Sequence, residues 1–128
     1  MTDICPFCQP DSEQIWFEDQ TGFVLRDAYP ISQGHALVIP RQHTVSLFQL
    51  PIDTQAALWQ LVSEARRRID EELRPDGFNV GVNDGEAAGQ TVMHAHIHVI
   101  PRWTDDVADP RGGIRWVIPE KARYWGDE

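Results

Sequence analysis

The stretch His94-Ala95-His96-Ile97-His98-Val99-Ile100 sets imidazoles and apolar side chains in strict alternation. Successive side chains point to opposite faces of a strand, so His94, His96 and His98 are expected on one face, about 6.5–7 Å apart in succession. Ala95, Ile97 and Val99 then fall on the other face, where they can join a core. The strand is expected to run from Val92 to Ile100 and to stop at Pro101.

A strand with one apolar face needs neighbours and a covering layer. Phe78 to Val82 alternates as a further strand, joined to the first by the loop Asn83 to Gly89. Upstream, Leu58, Leu61, Val62, Ala65, Ile69 and Leu73 fall on one face of a helix of about five turns, with Glu64, Arg66, Arg67 and Glu71 outside. Asp53 is its expected N-cap, shortly after Pro51, and Arg74-Pro75-Asp76-Gly77 ends it. Ile15 to Glu18 and Phe23 to Arg26 read as a hairpin with Gly22 in the turn. Pro30 to Gly34 is turn-like, and His35 to Ile39 forms a third strand stopped by Pro40. Grouped strands with one main helix predict an α+β fold: a five-stranded antiparallel sheet covered on one face, with residues 1–128 as a single domain. Trp103, Trp116 and Trp125 imply that the tail packs against something.

Composition narrows the functions. With 20 acidic and 11 basic residues among 128, the net charge of −9 repels nucleic acid and anionic membranes. An anionic ligand must be held by local chemistry. No apolar run nears the roughly 20 residues that cross a bilayer, and no basic-then-apolar signal pattern opens the chain. Two cysteines are too few for a disulfide framework. A cytoplasmic protein without nucleic-acid or membrane partners is therefore expected.

Three readings compete for the histidines. They can be a solvated sheet face, or ligands of one metal ion, although three imidazoles along a straight strand diverge. The third is nucleophilic catalysis at phosphorus, since neutral imidazole with an ordinary pKa near 6.5 is a good nucleophile at neutral pH. The glycine-bearing loop Gly85-Glu86-Ala87-Ala88-Gly89-Gln90-Thr91 supports the third, because its backbone N–H groups are expected to cradle an anion without lysine.

These residues resemble the histidine triad family, whose signature is His-x-His-x-His followed by two apolar residues. Gly89-Gln90-Thr91-Val92, Gly34 to Pro40, Gly77-Phe78-Asn79 and Arg102 extend the likeness over roughly residues 4 to 103. Within the family the chain looks most like the dinucleoside polyphosphate hydrolases and their bacterial relatives. His98 stands where the transferase branch has glutamine.

The resemblance implies a homodimer with a continuous ten-stranded sheet and a nucleotide substrate. His96 would attack the α-phosphate to form a nucleotidyl-histidine that water cleaves. His98 would help the leaving group, His94 would buttress His96, and His35 would pack beside the triad. Gly89, Gln90, Thr91 and Val92 would surround the phosphate. Asp27 would hold the ribose hydroxyls, or simply cap the turn before Pro30. Asn83 would neighbour the phosphates, or form a turn, and Phe7 would line the base pocket, or sit in the core. Nucleoside phosphoramidate hydrolysis and slow-turnover nucleotide-binding regulation are the competing functions.

Cys5-Pro6-Phe7-Cys8 lacks the thioredoxin-like context of a redox motif. It can hold two free thiols or give two thiolates to structural zinc. In some histidine triad proteins two histidines complete such a site; the matching positions here are His43 and His94.

Overall fold

The computed structural model describes residues 5–126; Ile4, where the family likeness begins, lies outside that range. Five strands, β1 (Ile15–Glu18), β2 (Gly22–Arg26), β3 (Ala36–Pro40), β4 (Gly77–Val82) and β5 (Ile97–Arg102), form one antiparallel sheet in the order β1-β2-β3-β5-β4. The main helix, α1 (Ile52–Leu73), crosses between β3 and β4 and covers one face.

Helix periodicity and strand alternation build the same core from opposite sides. Leu58, Leu61, Val62, Ala65 and Ile69 are buried along α1, against Val24, Ala36, Val38, Ile97 and Val99 of the sheet. Along β5 the odd positions are buried and His98, Ile100 and Arg102 are half-exposed on the far face. Cross-strand register sets Ile15, Leu25, Leu37, His98 and Gly81 in one row across that face. Phe23, Leu25, Leu37 and Ile39 form a second apolar cluster there, with Phe7 and Ile15 packed on it.

Several boundaries differ from expectation. Pro51, not Asp53, is the N-cap of α1 and Asp53 sits in the first turn, where a carboxylate still favours the helix dipole. The first turn is tied instead by Gln55 N–H to the Pro51 carbonyl. Gly22 is the first residue of β2 rather than part of the turn; a Cβ there would meet the Ile39 carbonyl oxygen at 2.5 Å. The turn itself is closed by Asp19, whose Oδ1 accepts from the N–H groups of Thr21 and Gly22. Pro40 lies within β3.

The tail folds on itself through a 3-10 turn (Gly113–Val117) and a short helix, α2 (Pro119–Ala122). Trp116 donates to the Arg111 carbonyl, and Trp125 stacks against the Arg111 guanidinium. None of the described helices is long and apolar enough to cross a membrane.

Candidate active site and metal centre

Of the triad only His98 stands on a strand. His94 and His96 precede β5, which begins at Ile97, so the expected strand from Val92 is shortened by five residues at its start. Pro40 explains the break. The β3–β5 ladder runs Ala36–Val99, Leu37–His98, Val38–Ile97, and its extension would need an N–H that Pro40 lacks. Ala95 N–H reaches the Thr44 carbonyl at 2.7 Å instead, and His94 Nε2–H donates to the Pro40 carbonyl at 2.8 Å. The imidazole ring of His94 is thereby completely buried.

His96 and His98 remain neighbours, with ring centroids 5.2 Å apart. His96 Nδ1–H donates to the His94 carbonyl at 2.9 Å. That bond assigns the tautomer and leaves the Nε2 lone pair uncommitted, on a half-exposed ring. Phe7 meets the same ring edge-on at 5.3 Å.

A second chain of bonds assigns the proton on His98. Ile31 N–H donates to His35 Nδ1 at 3.3 Å, so the His35 proton resides on Nε2. From there it is donated to His98 Nδ1 at 2.9 Å, which turns the Nε2–H of neutral His98 outward. Burial, then the neighbouring His96 and His35, lower the His98 pKa to about 4. Burial likewise lowers His35, against a partial opposing pull from Asp27. Both rings are thus neutral at pH 7, and His98 is a hydrogen-bond donor there rather than an imidazolium acid.

Asp27 serves two partners. Its Oδ1 accepts from Tyr29 N–H at 2.9 Å, closing the turn, while Oδ2 lies 3.4 Å from His35 Nε2. Donor atoms of Asp27, His35 and His98 fall within 4.8 Å of one another. The proton on His35 Nε2 leaves no lone pair there for an ion.

The glycine loop is more self-contained than expected. N–H groups of Ala88, Gly89 and Gln90 bond to loop carbonyls, and Gly85 N–H donates to Gln90 Oε1. Gln90 is buried; its Nε2 donates to the carbonyls of Val45 and Val92. Its side chain, expected around a phosphate, is used to hold the loop. The N–H groups of Thr91, Val92 and Met93, which lead into the triad, have no acceptor among the described residues and are available to an anion. Gly89 (φ 98) is exposed, as are Thr91 and Asn83, and Val92 is half-buried.

Cys5, Cys8, His43 and His94 bring one donor atom each within 4.8 Å of the others. Cys5 Sγ lies 3.3 Å and Cys8 Sγ 3.7 Å from His94 Nδ1, and Cys8 Sγ lies 3.1 Å from His43 Nδ1. A tetrahedral zinc ion sets sulfur–nitrogen separations of about 3.6 Å, so this donor set fits one. The bond from His94 Nε2–H to Pro40 leaves Nδ1 as the free lone pair, the usual arrangement around a ligating histidine.

Fold and site define a histidine triad protein, and the comparisons agree: the HIT domain model matches residues 10–105, and the chain belongs to that family. It is 37% identical over 86 residues to a 16.1 kDa HIT-like protein of Mycoplasma pneumoniae, covering 67% of this chain and 60% of that one. It is 40% identical over 86 residues to adenylylsulfatase HINT3 of Arabidopsis thaliana, covering 67% of this chain and 44% of the relative. The chain thus spans less than two-thirds of these two relatives. The crystal structure of a zinc-bound histidine triad family protein from Mycobacterium smegmatis superposes with a TM-score of 0.73 at 38% identity, covering 82% of this chain and 79% of that one.

The contributors that sequence reading missed are backbone groups: Ile31 N–H, the Pro40 carbonyl and the Thr44 carbonyl. Only Pro40 carries a signal, because a proline marks where a ladder loses its donor.

Proposed function

We propose that this protein is a nucleotidyl hydrolase that cleaves dinucleoside polyphosphates or related nucleoside phosphate conjugates at the α-phosphate. The observation that carries the reading is the bond from His96 Nδ1–H to the His94 carbonyl, which frees Nε2 as a nucleophile. A bond forms between His96 Nε2 and the α-phosphorus, and the bond from phosphorus to the leaving oxygen breaks. Water then attacks the same phosphorus, releasing the nucleoside monophosphate and a proton and restoring His96. The N–H groups of Thr91, Val92 and Met93 are the donors for the phosphate oxygens, and Asp27 Oδ2 is the acceptor for the ribose.

Neutral His98 supports one leaving-group class over another. A hydrogen-bond donor stabilises an oxygen that leaves as an anion, such as a polyphosphate, whereas an amine must be protonated outright. That ranks polyphosphate conjugates above phosphoramidates. The name of the Arabidopsis relative adds sulfate to the anionic class.

Cys5, Cys8, His43 and His94 hold a structural zinc ion in this reading, which when bound supplies a cross-link between the N-terminal segment and the triad. β4 is a sheet edge, and pairing of two β4 strands would give the ten-stranded dimer.

Acid-stable labelling is not expected on a phosphoramidate bond, so the test is a base-quenched trap. Protein mixed with radiolabelled diadenosine polyphosphate should carry one base-stable, acid-labile nucleotidyl group on His96, and His96→Ala should abolish turnover with binding largely kept. Normal turnover of His96→Ala, or label on another histidine, would overturn the assignment.

A further inference from the structure

We propose that the Cys5–Cys8–His43–His94 centre positions the nucleophile as well as bracing the fold, acting through the His94 carbonyl and the Phe7 ring. This rests on the reading of His96 as the nucleophile.

The segment that carries His96 precedes β5, and outside the sheet ladder the Ala95 bond to Thr44 is its one backbone–backbone hydrogen bond among the described residues. What orients the His96 ring is therefore local to its neighbours. One is the His94 carbonyl, which accepts the Nδ1–H and so sets both ring rotation and tautomer. The other is Phe7, which packs edge-on against His96 at 5.3 Å and His94 at 5.8 Å.

Both neighbours are built into the four-donor cluster. His94 is itself a donor, its ring pinned between Pro40 on one nitrogen and the two sulfurs on the other. Phe7 sits between Cys5 and Cys8 in a turn closed by Cys8 N–H to the Cys5 carbonyl. An ion gripping Cys5 and Cys8 thus fixes the turn that presents Phe7. The same ion, gripping His94, fixes the peptide that accepts from His96. His43 joins from the chain following β3, with its ring 4.9 Å from that of His94, and ties the cluster to the element whose carbonyls at Pro40 and Thr44 hold the segment. A loss of the ion releases both restraints together, without touching His98 or its bond to His35.

The test compares zinc-loaded protein with protein stripped by a chelator, and measures three things. Ring 15N spectra of His96 should show the fixed Nδ1–H tautomer in the loaded protein and a mixture of tautomers in the stripped one, returning when zinc is added back. Single-turnover nucleotidylation should fall about 10- to 100-fold on stripping, as loss of a supporting shell typically does, while affinity for a non-hydrolysable dinucleotide changes far less. Phe7→Ala, which keeps all four donors, should retain one zinc per chain yet lower the same rate, with Phe7→Tyr restoring it. If stripped protein unfolds, the Phe7 pair decides alone. An unchanged His96 tautomer in folded stripped protein, or full activity in zinc-bound Phe7→Ala, would overturn the proposal. The ring spectra do not depend on turnover, so a failure of His96 as nucleophile would show separately, as activity retained by His96→Ala.

Discussion

His35 reaches the reaction only through another ring. Its Nε2–H donates to His98 Nδ1, and that bond holds the outward Nε2–H of His98. In His35→Ala the restraint is gone, and His98 can carry its proton on either nitrogen. Turnover of substrates with poor leaving groups should fall more than that of substrates with good ones, and a series of leaving groups of graded pKa measures it. A uniform loss across the series would mean that His35 merely packs. Asp27 makes a different prediction, since one carboxylate oxygen is committed to Tyr29 and the other faces the site. Losing a charged hydrogen-bond partner costs about 1.5–3 kcal/mol, or about one to two decades in affinity. Asp27→Ala should weaken binding of a nucleotide by that much and of its 2′,3′-dideoxy analogue far less. Equal losses in a titration of both would remove the ribose contact.

Among the elements, α1 is more legible in the sequence than β5, and the tail that holds α2 is the least legible. Leu58 and Ile69, picked out by their spacing, have no exposed surface in the fold. Truncating either to alanine leaves a cavity and is expected to destabilise by about 2–5 kcal/mol. Urea unfolding of Leu58→Ala with an unchanged midpoint would contradict the packing. Periodicity works for α1 because a helix is satisfied by bonds within its own chain. A strand is satisfied by a partner, and alternation in the triad says nothing about where that partner stops. Hence alternation puts Ile97 and Val99 in the core, where they are, but puts His94 and His96 on a strand that Pro40 does not allow. Gln90 misled for a related reason: a polar residue in a glycine loop reads as a ligand-facing group, but three backbone groups claim it first. Cys5 and Cys8 are legible as a Cys-x-x-Cys pair, but His43 and His94 join them only through family likeness, because nothing in the spacing alone brings residue 43 to residue 94.

At the scale of the whole molecule, three imidazoles link folding to pH, those of His35 and His94 buried and that of His98 half-buried. The pKa of His98 lies near 4, and those of His35 and His94 are also lowered, in each case chiefly by burial. His98 is faced by His96 and His35, whose charges oppose its protonation, and by Asp27, which favours it but does not prevail. An unfolded chain binds these protons near pH 6.5, before the folded one does. Stability contributed by a depressed histidine is therefore full above about pH 6.5 and is lost as pH falls towards the folded value of about 4. Carboxylates act lower down. Glu64, hydrogen-bonded by Arg67 and Arg68, and Asp106, hydrogen-bonded by Arg102, are each held at about 2, so their contribution fades below the ordinary carboxylate range. The melting temperature should accordingly stay level from pH 8 to about 7 and decline between about 6.5 and 4, ahead of carboxylate titration. Replacing His98 by glutamine, which cannot protonate, should flatten that decline. Calorimetry across this range on both proteins checks it. A melting temperature that rises on acidification through that window, or an equal slope in His98→Gln, would show that His98 is not held neutral by the fold.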